Sequence, residues 1–183
     1  MFKIFIKGLI LIEDNRFNRH YGIDVISIFR ALLINLSEKR FAQGGSTITQ
    51  QLARTLYLTN KKTIIRKLKE IGIAFYLELK YSKKKILHLY LTSIYMGQNG
   101  QGKVLTGFLE ASKFYFGKNL TNLSVAEYAA LIAMVKGPNF YRPHSSQGTA
   151  RRIMVLGKML DSDLITQEEF FEASKVSFTN KLL

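Results

Sequence analysis

Thr63-Ile-Ile-Arg-Lys-Leu-Lys-Glu-Ile-Gly-Ile-Ala-Phe-Tyr-Leu-Glu-Leu-Lys80 decides the fold class. The stretch reads as one helix. Arg66, Lys67 and Glu70 fall on one face of it, because residues three and four apart are neighbours on a helix. One turn later, Ile71 to Leu77 carries no charge, which predicts that this part of the helix enters the core. Glu70 then stands where a basic surface meets a buried turn.

Working outward, the same helical grammar recurs. Upstream, Gly44-Gly45 breaks the chain, and Thr47 with Gln50 forms a Thr-x-x-Gln capping box opening a helix through Leu52, Leu56 and Tyr57. Before that, Ile23 to Leu36 has apolar residues at Ile26, Phe29, Leu33 and Leu36. This predicts a helix apolar over most of its circumference, buried or lying in a membrane interface. At the start, the β-branched and aromatic residues of Phe2-Lys-Ile-Phe-Ile6 predict a short strand or extended lead-in. Downstream, Ser124-Val-Ala-Glu127 is a capping box with Leu123 and Tyr128 placed for a hydrophobic staple, opening a helix that Gly137-Pro138 ends. Thr166-Gln-Glu-Glu169 opens the last helix in the same way. The expectation is a mainly α protein.

Composition bounds the rest. With 183 residues, 47% of them hydrophobic, the chain suits one compact domain spanning 1–183. The two prolines, Pro138 and Pro143, lie close together and divide nothing. There is no cysteine, which excludes a disulfide framework and cysteine-ligated zinc. Lys and Arg number 27 against 13 Asp and Glu, a formal charge of +14 that suits a phosphate-bearing or anionic membrane partner. The charge centres on the segment from Lys61 to Lys85. The apolar opening, Met1 to Ile12, is far shorter than the roughly 20 residues a spanning helix needs, and no small-residue cleavage site follows it.

Three segments can carry chemistry. Glu13-Asp14-x-x-Phe17-x-x-His20-x-Gly22 puts an acid pair near an aromatic ring and a histidine; a carboxylate there suits a general base for a sugar hydroxyl. The same spacing also describes a plain acidic helix start. Gln43-Gly-Gly-Ser-Thr-Ile-Thr-Gln-Gln-Leu-Ala-Arg54 offers hydroxyls and helix-start N–H groups for phosphate, without the spacing or lysine of a nucleotide P-loop. Arg66-Lys67-x-x-Glu70 suits a pyrophosphate, the carboxylate ordering the cations; its plain reading is a surface ion pair. Ser82-Lys-Lys-Lys85 matches a Ser-x-x-Lys pattern by chance within a lysine run, and His20, His88 and His144 lack metal-ligand spacing.

Taken in order, these segments resemble the motifs of the peptidoglycan glycosyltransferases, glycosyltransferase family 51. Glu13 to Gly22 is similar to the first, Gly44 to Arg54 to the second, and Arg66 to Glu70 to the third. Ile86-Leu-x-x-Tyr-Leu-x-x-Ile-Tyr-x-Gly97 with Tyr115-Phe-Gly-Lys118 resembles the fourth, and Leu123 to Glu127 through Lys136-Gly-Pro-Asn-Phe-Tyr-x-Pro143 the fifth. The resemblance runs from Glu13 to about Leu160, with a tail to Phe178 that is also similar to the family. Thr92 stands where the family usually has Asn, and Arg54 where Lys is common.

The resemblance implies a lysozyme-like fold with a large helical lobe and a small membrane-contacting jaw that includes parts of Ile23 to Phe41. It implies that Glu13 deprotonates the 4-hydroxyl of the acceptor, lipid II. That hydroxyl attacks C1 of the lipid-linked growing strand with inversion, expelling undecaprenyl pyrophosphate and lengthening a β-1,4-linked glycan. Arg30, Arg54, Lys62, Arg66 and Lys67 would bind the donor's phosphates. Glu70 would organise that cluster or a divalent ion such as Mg²⁺. Asp14, Phe17, His20, Ser46, Thr47 and Gln51 would shape the cleft. The implied place is the outer, periplasmic face of a bacterial cytoplasmic membrane, with lipid II, the growing strand, the membrane surface and cell-wall synthesis proteins as partners, and no nucleic acid. Members carry a membrane anchor before the first motif, and that anchor is expected to be missing here. A lysozyme-like hydrolase, using two carboxylates on water, and a silent lipid II or anionic-membrane binding module are the competing readings.

Overall fold

The computed structural model describes residues 1–30, 45–59, 61 and 63–179. Among them the protein is mainly α, with a single two-stranded sheet. The chain divides into two compact units: residues 1–12 with 94–183, and residues 13–93.

The first unit is built around a helix with no exposed side. Helix α6 (Val125–Met134) is buried at every residue, and Ala126, Ala129, Ala130 and Ala133 let its neighbours approach closely. Its capping box forms as the sequence predicts: Ser124 Oγ accepts from Glu127 N, and the Glu127 carboxylate accepts from Ser124 N at 2.7 Å. Around it lie helices α5 (Gly107–Phe116), α7 (Ser146–Asp161) and α8 (Gln167–Lys175), the last opened by the Thr166–Glu169 box. Strands β1 (Tyr95–Gln98) and β2 (Val104–Thr106) pair antiparallel, Tyr95 opposite Thr106.

The expected strand at Phe2–Ile6 is corrected here: helix α1 runs Phe2–Asp14. Phe5, Gly8 and Leu9 sit three and four apart, so helical spacing puts them on one buried stripe. The Phe5 ring stacks on Tyr128 at 5.0 Å and meets Phe108 edge-on at 5.1 Å. A Cβ on Gly8 would lie 3.3 Å from Ile132 and Met159. Tertiary packing outweighs the strand preference of isoleucine and phenylalanine, which is a weak and context-dependent bias.

The second unit contains the last residues of α1, a 3₁₀ turn (Phe17–Arg19), a helical stretch at 25–30, and helices α2 (Ile48–Tyr57), α3 (Ile64–Lys80) and α4 (Lys83–Ser93). Most of the expected 23–36 helix, and with it most of the expected jaw, falls outside the described residues. Helix α3 lies within a residue of the expected Thr63–Lys80, and Thr63 turns out to be its cap. It does not plunge into the core. Only Glu70, Ala74 and Leu77 are buried, while Ile64, Ile65, Leu68, Phe75, Tyr76 and Leu79 are exposed. These exposed residues occupy one side of the helix, so its apolar content is divided between a narrow buried stripe and a wide outward face. No helix among the described residues is long and apolar enough to cross a membrane.

Candidate active site

The first two sequence motifs are knitted together by buried polar atoms. Asp14, at the end of α1, accepts from the backbone N–H of Ile48 at 2.9 Å and from His20 Nε2 at 3.0 Å. A carboxylate at the start of α2 satisfies one of its free N–H groups and faces the positive end of the helix dipole. His20 Nδ1 accepts from Gly22 N at 3.2 Å, which assigns the ring proton to Nε2, the nitrogen facing Asp14. Thr47 Oγ1 donates to the Gly22 carbonyl at 2.7 Å and accepts from Gln50 N, completing the capping box. Gly22 itself has φ +84°, and a Cβ there would lie 2.9 Å from the Ala74 backbone of α3. A left-handed backbone pressed against a helix leaves room for glycine alone.

Glu13, one residue earlier, is half-buried and turned to α2. Gln51 Nε2 donates to Glu13 Oε2 at 2.9 Å, and the Tyr90 hydroxyl of α4 donates to Gln51 Oε1 at 3.0 Å. Burial, reinforced by the negative charge of Glu13, pushes the Tyr90 phenol well above its ordinary range, so it stays a donor.

The cationic cluster centres on Glu70, which is fully buried. Arg66 Nη1 donates to one of its oxygens at 2.5 Å and Lys67 Nζ to the other at 2.7 Å. Lys67 also donates to Ser46 Oγ at 2.8 Å and Gln50 Oε1 at 3.1 Å. Consecutive residues of α2 therefore reach the two chemical centres: Gln50 holds the lysine, and Gln51 holds the acid. Two buried donors here, Gln50 Nε2 and Arg66 Nε, have no acceptor among the described residues. Buried N–H groups ordinarily find acceptors, so these two are exceptions within the cluster.

Both Glu70 oxygens are taken by cations, and the described residues contain no group of three His, Cys, Asp or Glu that could hold a metal. Such a donor set does not fit a divalent ion bound at Glu70 by protein ligands, which would need several oxygens free to coordinate it.

The remaining expected residues are scattered. Phe17 is buried, with the Lys83 ammonium 4.6 Å from its ring centre. Arg54 is half-buried in the last turn of α2, Arg30 is exposed, and Lys62 lies outside the described residues. Sequence reasoning placed Tyr90 within the fourth motif and Gln50 within the second, but gave Tyr90 no role and Gln50 none beyond the cap. It also missed the use of Lys83, which donates to the His20 carbonyl at 2.6 Å and to Glu78 at 2.7 Å, while Thr49 donates to the same Glu78 oxygen at 2.5 Å. Part of the lysine run is thus a buckle between the first motif and α3. Nothing in local spacing signals it, since the partners are up to 63 residues apart.

Comparison with known proteins gives the family. The family model described as Transglycosylase matches residues 1–160. Penicillin-binding protein 1B of Vibrio cholerae is 39% identical over 173 residues, 93% of this chain and 22% of that protein. Penicillin-binding protein 1B of Haemophilus influenzae is 43% identical over 168 residues, 91% of this chain and 21% of that protein. The chain thus spans about a fifth of the length of these curated relatives. A crystal structure of penicillin-binding protein 1A from Haemophilus influenzae aligns with a TM-score of 0.48 at 26% identity, covering 74% of this chain and 16% of that one. With the family model extending over most of its length, the chain belongs to the transglycosylase family of enzymes.

Proposed function

We propose that the protein is a peptidoglycan glycosyltransferase that joins lipid II to a lipid-linked glycan strand at the outer face of a bacterial cytoplasmic membrane. The observation that carries this reading is the use of Gln50 and Gln51 to mount a cationic cluster and a half-buried carboxylate on one helix, α2. A single-displacement glycosyl transfer needs those two elements: one base for the attacking hydroxyl and charge stabilisation for the departing pyrophosphate.

In this scheme Glu13 takes the proton of the acceptor 4-hydroxyl as the oxygen attacks C1 of the donor. The C1–O bond to the lipid pyrophosphate breaks, and the pyrophosphate leaves with the bonding pair. Lys67 and Arg66, pre-set by Glu70, meet the charge that develops on the leaving oxygens. Because those donors are fixed beforehand, little reorganisation is needed during the reaction. Arg30, Arg54 and Lys62 extend the phosphate contacts along the lipid pyrophosphate. Glu70 works through its ion pairs with Arg66 and Lys67.

The exposed apolar side of α3, with Val25, Ile26 and Phe29 beside exposed Arg30, is suited to a membrane interface. A substrate with a polyprenyl tail reaches the site only from such a surface.

The test is polymerisation of labelled lipid II in detergent by the wild type and Glu13→Gln, with and without EDTA. Glycan strands from the wild type and none from the variant support the transferase and its base. Cleavage of finished glycan without polymerisation would replace this reading with a hydrolase.

A further inference from the structure

A buried tyrosine commonly satisfies its hydroxyl on a backbone carbonyl, as Tyr128 does by donating to Leu120 O at 2.7 Å. Tyr90 does otherwise. Its hydroxyl donates to the side-chain oxygen of Gln51, whose other end donates to Glu13. We propose that Tyr90 is a positioning residue: it holds the Gln51 amide in the one orientation that presents N–H, and not C=O, to the Glu13 carboxylate. This rests on Glu13 being the base of the transferase described above.

A primary amide turned by half a rotation has nearly the same shape, and only its hydrogen-bond partners select between the two orientations. An ionised carboxylate accepts and never donates, so a Gln51 oxygen turned toward Glu13 would repel it. Tyr90 anchors that oxygen on the far side. Arg54 from α2 and Glu13 and Asp14 from α1 are the charges acting on Tyr90, and the two acids oppose its ionisation. Tyr90 therefore remains a donor across the pH range in which Glu13 works as a base, and the Gln51 orientation persists with it.

The experiment compares the wild type, Tyr90→Phe, Gln51→Ala and the double variant in lipid II polymerisation. Loss of a hydrogen bond serving a charged group predicts a fall in kcat of about tenfold for Tyr90→Phe, with KM little changed. The acid limb of its pH–rate profile moves to higher pH, because the ionised base has lost one of its stabilising contacts. The double variant falls no further than Gln51→Ala alone, since Tyr90 acts through Gln51. Additive losses, or an unmoved acid limb, overturn the proposal. A second readout needs no turnover: the Gln51 side-chain amide signal in NMR, assigned by its disappearance in Gln51→Ala. One strongly shifted, slowly exchanging N–H is expected in the wild type and is lost in both Tyr90→Phe and Glu13→Gln. A wild-type signal that survives Tyr90→Phe sinks the idea. If the wild type polymerises nothing, the transferase reading fails, while the NMR arm still decides the positioning.

Discussion

Single residues of the second unit set its local limits. At Gly22 a side chain meets both a left-handed backbone and the Ala74 carbonyl group of α3. Gly22→Ala is expected to lose about 1–3 kcal/mol of stability by denaturant titration, and polymerisation with it, because His20 and Thr47 both bond the Gly22 backbone. Asp24 opens the helical stretch at 25–30. Burial alone would raise its carboxyl, but hydrogen bonds from the Ser27 side chain and backbone, with the Arg16 guanidinium 3.2 Å away, hold it below its ordinary value. A folded-state value below the unfolded one gives stability that is present above the ordinary carboxylate value, about pH 4, and lost as pH falls further. Asp24→Asn should therefore melt earlier than the wild type at pH 7, with the difference shrinking below about pH 4. An equal difference at pH 7 and in acid would refute that account.

Among the elements, α2 begins within the site. Thr47 caps it and bonds Gly22, so Thr47→Ala should cost about 1–2 kcal/mol in stability, at the upper end for a lost cap. Helix α3 divides its labour by face, with Arg66, Lys67 and Glu70 toward the site and Ile64, Leu68, Phe75 and Leu79 outward. Leu68 is 64% and Leu79 69% exposed, so changing both to Gln removes little buried contact. The expected outcome is an unchanged melting temperature with weakened flotation on vesicles containing anionic lipid. Retained flotation would detach α3 from the membrane. The sequence makes the span of this helix legible to within a residue, yet the expectation of a buried turn at Ile71 to Leu77 fails at Phe75 and Tyr76, which face outward. Periodicity reports that a helix has an apolar face, not whether protein or something else covers it. Strand preference failed at Phe2–Ile6 for a related reason, since the partners of Phe5 are Phe108 and Tyr128, which no local window contains.

For the whole molecule, a formal charge of +14 over 183 residues is a property of the chain and not of its fold. Binding to anionic vesicles should weaken steeply as salt rises from about 0.05 to 0.5 M, because exposed charges are screened over a Debye length of about 10 Å at 0.1 M. Binding unaffected by salt would leave the apolar surface as its sole cause. The sequence by itself determined the mainly α class, the capping boxes that start α2, α6 and α8, the charge, and the motif residues Glu13, Gln51, Arg66, Lys67 and Glu70. These follow from rules that act over one or two turns of chain or over simple composition. Only the tertiary structure decided that Asp14 and His20 seat the start of α2, that Lys83 buckles the first motif to α3, and that Tyr90 stands behind Gln51 and Glu13. A hydrogen bond between residues 34, 39 or 63 positions apart depends on how helices pack, and packing leaves no period in the sequence that links the two ends.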